Sequence, residues 1–181
     1  MDLFARCGYA RTNTNDIAIR AGVSVGSLYQ YFPNKDAILT ALLERHLHAV
    51  DQVIRGSLAE LADVSAPFRQ TIRHMLERLL DLHDADPGLT RAVEVQVGQL
   101  PRLPQAFHEL EAAHSSELAR ILRLRPDVRP GNKALMAALL FEITKAASAW
   151  LAHGKASAFD RDAAISEATN VICRYVEAPG G

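Results

Sequence analysis

The sequence predicts an all-α protein, a short three-helix head followed by a larger helical domain, from three observations. The 3.6-residue apolar period recurs along the 181 residues, and no stretch shows the strict apolar/polar alternation of a half-buried strand. Cap residues and prolines cut that pattern into discrete segments. Near the N-terminus, two of these segments are only about two turns long and meet at Gly22-Val23-Ser24, too little chain for anything but a tight turn.

The elements follow in order. Asn13 stands where an N-cap is wanted before TNDIAIRA, with Asp16 in the first turn to meet the helix dipole, and Gly22 supplies a left-handed C-terminal residue. Ser24 caps a second short helix, VGSLYQYF, whose inward residues with those of its neighbour are expected to be Ala18, Val23 and Leu28. Pro33 and Asn34 end it and cap a long helix from Lys35, marked by Ile38, Leu39, Leu42, Leu43, Leu47, Val50, Ile54, Leu58 and Leu61 on one face. Residues 1–45 are expected to form the head and 46–181 the second domain.

Ser65-Ala66-Pro67 opens a helix carrying Phe68, Ile72, Met75, Leu76, Leu79 and Leu80, and Asp86-Pro87 opens another running to about Val97. Pro101 and Pro104 bracket the start of the next, which ends at the loop RPDVRPGN. A helix from Ala134 to His153 is apolar on nearly every side and must be surrounded, either at a subunit interface or at the centre of one subunit. Asp160 caps the last helix, bearing Ala164, Ile165, Ala168, Val171, Ile172 and Val176.

Composition narrows the chemistry. A net charge of −1 gives no global attraction to nucleic acid or anionic membrane, so polyanion binding must come from a local patch. Cys7 and Cys173 lie near opposite ends without CxxC spacing, which fits a reducing cytoplasm. MDLFARCGYA is short and polar for a signal peptide, and Glu142 and Lys145 interrupt the most apolar stretch, so a soluble helix is expected there and no membrane partner. His46 and His48 diverge on their helix, a single Glu111/His114 pair at i,i+3 reads as a surface hydrogen bond, and no metal site is expected. No cofactor is expected either: no GxSxG, P-loop or GxGxxG run is expected in the chain, which leaves nucleophilic or phosphate-cofactor chemistry without a foothold.

The two short helices have the form of a helix-turn-helix, in which the second helix enters the DNA major groove. Gly26 and Ser27, near the start of that helix, have almost no side chain and let backbone approach bases or phosphates closely. Tyr29, Gln30 and Tyr31 supply hydroxyls and an amide, and a glutamine can pair bidentately with adenine. Lys35 opens the next helix, where its charge and the free N–H groups of the first turn can jointly hold a phosphate.

The run GYARTNTNDIAIRAGVSVGSLYQYFPNKDAIL, Gly8 to Leu39, resembles the DNA-binding domain of the tetracycline-repressor (TetR) family of transcriptional regulators, with its Asp-Ile-Ala, Ala-Gly-Val-Ser, Leu-Tyr-x-Tyr-Phe and Lys-Asp elements in order. The resemblance implies a non-enzymatic regulator, usually a repressor. It implies a homodimer joined through the last two helices, a small-molecule effector held among the C-terminal helices, and near-palindromic double-stranded operator DNA as partner. It places phosphate contacts at Thr14, Asn15, Tyr29, Tyr31 and Lys35, and base-edge positions at Val25, Ser27 and Gln30. Two features depart from the family pattern. The chain is expected to start partway through the first helix, with five cationic against four acidic side chains in residues 1–46, a net of +1, and Val25 is apolar where polar or basic side chains are common.

Effector pockets are mostly apolar with a few placed polar groups, which singles out Met75, Leu79, His83, Phe107, His114, Phe141, Thr144 and Trp150, each of which reads first as plain core and only then as a ligand contact. As a set they suit an apolar or aromatic effector. The other function class is an all-helical small-molecule-binding protein or enzyme whose helix-turn-helix is merely structural. Against it stands the exposed tyrosine-rich end of the second helix, for which a structural hairpin has no use.

Overall fold

A computed structural model describes residues 2–9, 11–85, 103–152 and 158–177. Those residues form eight helices: α1 Asp2–Cys7, α2 Thr14–Ala21, α3 Val25–Tyr31, α4 Lys35–Ala62, α5 Phe68–Ala85, α6 Leu103–Leu124, α7 Lys133–Ala152 and α8 Arg161–Val176. The helix expected from Asp86 to about Val97, the break at Pro101 and the terminal His153 of the helix from Ala134 lie outside the described residues. Two compact units are present, Met1–Ala49 with Ala85–Phe107, and Val50–Asp84 with His108–Gly181. The division within α4 falls four residues beyond the expected domain boundary at 45, and the helix runs through it unbroken.

In the first unit the caps act as the side-chain chemistry dictates. Asn13 Oδ1 accepts from Asp16 N at 2.8 Å, Ser24 Oγ from Ser27 N at 2.9 Å and Asn34 Oδ1 from Ala37 N at 2.8 Å. Gly22 ends α2 at φ 70°, a left-handed conformation that a Cβ would strain, and this turn returns Val23 N to the Ala18 carbonyl at 3.0 Å. Phe4, Ala18, Leu28 and Ile38 form the small core, with Tyr9, Ile17, Val25, Phe32 and Leu42 packed around it. Val23, expected inside, is instead 45% exposed. It occupies the turn itself, where the left-handed Gly22 redirects the chain and its side chain away from the α2–α3 contact.

The second unit buries a larger apolar cluster, from Leu58 and Leu61 of α4 through α5 and α6 to Ile172 and Val176 of α8. Burying side chains of this size is worth about 1.5–3 kcal/mol each, which is what offsets the chain entropy of so many ordered turns. Its corner is held by Arg125, nearly fully buried, which donates to the carbonyls of Leu61, Asp63 and Ala66 at 3.1, 3.3 and 2.9 Å and to both oxygens of Asp127. One guanidinium therefore satisfies carbonyls at the C-terminal end of α4 and in the turn beyond it. The loop after α6 makes a single antiparallel bridge, Val128 to Glu177, which the helical periodicity did not announce. Gly131 sits in that loop at φ 141°, and a Cβ there would come within 2.9 Å of Met136 Cε.

α7 packs along α8 and buries one stripe of its own surface. Met136, Ala137, Leu140, Ser148 and Leu151 are buried, whereas Leu135, Leu139 and Trp150 are exposed. By length and composition α7 is apolar enough to cross a bilayer, but Glu142 and Lys145 sit mid-helix and pair at 2.9 Å, a placement hydrocarbon would penalise. Val171 on α8 is 59% exposed.

Candidate nucleic-acid interface and effector site

The exposed side of α3 carries most of the residues that the sequence selects for DNA. Gly26 is exposed, and a Cβ built there would meet only Ser24 Oγ at 3.8 Å, so the space beyond it is open. Tyr31 is 79% exposed and Tyr29 49%. Gln30 is exposed, and among the described residues its amide makes no hydrogen bond. Thr14 and Tyr29 are brought together across the α2–α3 contact, Oγ1 to hydroxyl 3.0 Å, with Asn15 exposed beside Thr14.

Three candidates are placed differently from that group. Ser27 is half-buried, its hydroxyl 2.8 Å from Ser24 Oγ. Val25 is half-buried against the head's core, which leaves it less free to face a base than Gln30. Lys35 reaches back to α1's loop: its ammonium donates to the Tyr9 carbonyl at 2.7 Å and lies 4.1 Å from the centre of the Tyr9 ring. Two of its three hydrogens remain for a phosphate, and the contact fixes where the charge stands.

The effector candidates separate as well. Met75 and Leu79 are buried core of α5. His83 Nε2 lies 3.3 Å from Ser148 Oγ. His114 is 3% exposed, its Nε2 2.8 Å from Asp51 Oδ1 and its ring 6.0 Å from that of half-buried Phe141. Thr144 follows one turn along α7, half-buried. Phe107 is half-buried and groups with the first unit. Trp150 does not turn into the core: it is exposed, its ring 6.1 Å from Phe159.

One sequence expectation fails at this site. Glu111 and His114 do not bond each other: Glu111 takes Lys145 at 3.0 Å, while His114 takes Asp51. Asp51 and Arg55, which complete that arrangement, carried no sequence signal because Asp51 is 63 residues away from His114 and reads as an ordinary solvated face of α4.

A second expectation is corrected by the sequence itself. Gly22 to Gly26 reads GVSVG, formally a nucleophile-elbow pattern, but Ser24 joins two helices rather than a strand to a helix, and its oxygen is taken by the Ser27 N–H. It is a helix cap. Among the described residues no group of three His, Cys, Asp or Glu side chains could hold a metal ion.

Comparison with known proteins agrees with this geometry. Residues 1–42 match the family described as bacterial regulatory proteins, tetR family, and residues 67–175 match a tetracyclin repressor-like C-terminal domain. The nucleoid occlusion factor SlmA of Vibrio vulnificus is 28% identical over 120 residues, 65% of this chain and 59% of the relative. SlmA of Haemophilus influenzae is 30% identical over 129 residues, 68% and 56% of the two chains. The chain thus spans somewhat under three-fifths of the length of these relatives.

Solved structures match more completely at lower identity. The regulator PfmR of Thermus thermophilus has a TM-score of 0.72 at 21% identity, covering 96% of this chain and 93% of its own. The regulator FadR of Bacillus subtilis, solved with stearoyl-CoA, has 0.69 at 18%, covering 97% and 95%. At those identities the likeness speaks for the fold alone. Two family matches that together take in most of the sequence, on a fold shared over nearly its whole length, make this chain a member of the tetR family of bacterial regulatory proteins.

Proposed function

We propose that the protein is a cytoplasmic, ligand-responsive transcriptional regulator, a repressor that binds a near-palindromic operator as a homodimer and leaves it when a small apolar effector binds. The observation that carries this reading is the bare and unobstructed N-terminal end of α3, Gly26 with open space beside it, next to solvent-facing Tyr29, Gln30 and Tyr31. A purely structural hairpin, or a catalytic protein, would have no reason to leave that combination facing water. Thr14, Asn15, Tyr29, Tyr31 and Lys35 hold phosphates in this reading, and Gln30 reads a base edge, with Ser27 and Val25 beside it.

The homodimer is supported by the exposed Leu135, Leu139 and Trp150 of α7 and Val171 of α8, an apolar strip whose exposure in one subunit suits a partner's. An apolar effector suits the composition of the residues around His114 and Phe141, and a neighbour of the same fold was solved with stearoyl-CoA. The signal has a continuous path: α4 begins with Lys35 and carries Asp51, the partner of His114. A hundredfold change in operator affinity needs roughly 2.7 kcal/mol of coupling, and operator must weaken effector by the same factor. A gel shift with the intergenic DNA upstream of the gene tests the reading. Retarded operator that competitor DNA of unrelated sequence does not displace supports it, and equal binding to any sequence removes it.

A further inference from the structure

A carboxylate already accepting from a guanidinium can only accept from an imidazole. Arg55 Nε donates to both oxygens of Asp51, at 2.7 and 2.9 Å, so in the 2.8 Å contact between Asp51 and His114 the hydrogen belongs to Nε2. In its neutral form the ring presents Nδ1 as an acceptor. His114 is 3% exposed, and among the described residues no donor reaches that nitrogen. A buried acceptor left unmet costs about 1–3 kcal/mol, and native interiors rarely carry one without a use.

A second polar group without a partner among the described residues stands on α7. Thr144 stands one turn beyond Phe141 on α7, and among the described residues its hydroxyl makes no hydrogen bond. The buried helical hydroxyls of Ser57, Thr71 and Thr169, in contrast, each donate to the carbonyl four residues back, at 3.0, 3.3 and 2.8 Å. The Phe141 ring lies 6.0 Å from that of His114 and offers an apolar face one turn before Thr144 on the same helix. Charge narrows the chemistry further. Arg55 is committed to Asp51, and Lys145 to Glu111 and Glu142, so the cations on these turns are already neutralised and an anionic group would find no counter-charge among them.

Resting on the effector-binding part of the function above, we propose that His114 Nδ1, Thr144 Oγ1 and the Phe141 face form the polar end of the effector site and take a neutral aromatic hydroxyl compound. Its hydroxyl donates to Nδ1 and accepts from Thr144, and its ring lies against Phe141. Asp51 acts as a positioning residue, holding the imidazole in the tautomer that leaves Nδ1 open.

The test uses the full chain labelled with 15N-histidine and three matched probes: 1-naphthol, 1-methylnaphthalene and 1-naphthoate. Calorimetry is expected to show 1-naphthol binding about tenfold tighter than either companion. The Nδ1 resonance of His114 should move on adding 1-naphthol alone, with Nε2 keeping its hydrogen. His114→Leu, which leaves Asp51 paired with Arg55, and Thr144→Val should each bring 1-naphthol down to the level of 1-methylnaphthalene. The spectroscopic arm needs no variant and stands if either fails to fold.

Equal affinity for naphthol and methylnaphthalene, an unmoved Nδ1 at saturation, or no binding of any probe at millimolar concentration overturns the site. Operator DNA separates this from the broader reading. Naphthol that engages Nδ1 without releasing operator upholds the site and sinks ligand-responsive regulation by it. Operator released equally by naphthol and methylnaphthalene, with Nδ1 unmoved, does the reverse.

Discussion

Thr14 and Tyr29, fifteen residues apart, meet at 3.0 Å, Oγ1 to phenolic oxygen, on the exposed side of α2 and α3. One hydroxyl donates its hydrogen to the other, whose own hydrogen stays available for solvent or a phosphate. Removing the phenolic oxygen therefore frees the hydroxyl of the half-buried Thr14 at an exposed contact, where water satisfies it at little cost. Tyr29→Phe is expected to change thermal stability by less than about 0.5 kcal/mol while weakening operator and nonspecific DNA alike. Thermal melts and paired gel shifts check both halves.

Lys35 and Gln30 should fail in different ways. Lys35→Ala is expected to weaken all DNA about equally and to lower the salt slope by about one unit for each half-site. It also releases the Tyr9 carbonyl and ring, so a modest fall in melting temperature accompanies it. Gln30→Ala should cost about 1–3 kcal/mol at one operator position per half-site and leave nonspecific binding unchanged. The same sequence-blind loss in both variants would remove Gln30 from the groove.

Gly26→Leu separates approach from folding. The added side chain enters open space, Ser24 Oγ at 3.8 Å being the nearest atom to its Cβ, and a leucine favours helix over glycine by several tenths of a kcal/mol or more. The melting temperature should hold or rise while operator binding is lost. Normal binding by this variant would mean that α3 does not lie in the groove.

The proposed dimer is open to a charge test. Val171→Arg sets an unpaired cation on the exposed face of α8 without touching Ile165, Ile172 or Val176, which form the inner face. Light scattering should move from a dimer mass to a monomer mass at micromolar concentration, with helicity unchanged. Half-sites one helical turn or a multiple apart, about 34–36 Å, should then no longer bind cooperatively.

Arg125→Met removes the guanidinium that meets the Leu61, Asp63 and Ala66 carbonyls, and should cost about 2–3 kcal/mol, lowering the melting temperature by roughly 5–10 °C. The pH dependence follows from Asp127, whose carboxyl the Arg125 hydrogen bonds hold below its ordinary value. Above the ordinary carboxylate range both states are ionised and the full stabilisation is present. As pH falls through the depressed value, the folded carboxylate must also take a proton and that stabilisation is lost. Chemical denaturation between neutral and acid pH should show a shallower acid loss in Asp127→Asn than in the parent.

The caps, turns and periods of the head were legible in the sequence because they are local. Asn13, Ser24 and Asn34 each bond an amide three residues on, and Gly22 answers a backbone angle at its own position. The apolar stripe of α5 was legible too, since a period of 3.6 needs no partner to be recognised. Tertiary structure alone decided that Val23 faces water, that Lys35 is pinned to Tyr9, that Trp150 pairs with Phe159 on the surface and that Arg125 knots three carbonyls. It alone joined His114 to Asp51, leaving the other ring nitrogen without a partner among the described residues. The physical reason is common to these cases. A cap or an amphipathic face is specified within one or two turns of chain, whereas the partner of a buried ring or guanidinium is whatever the packing of distant helices sets beside it, and no spacing rule in the sequence encodes that choice.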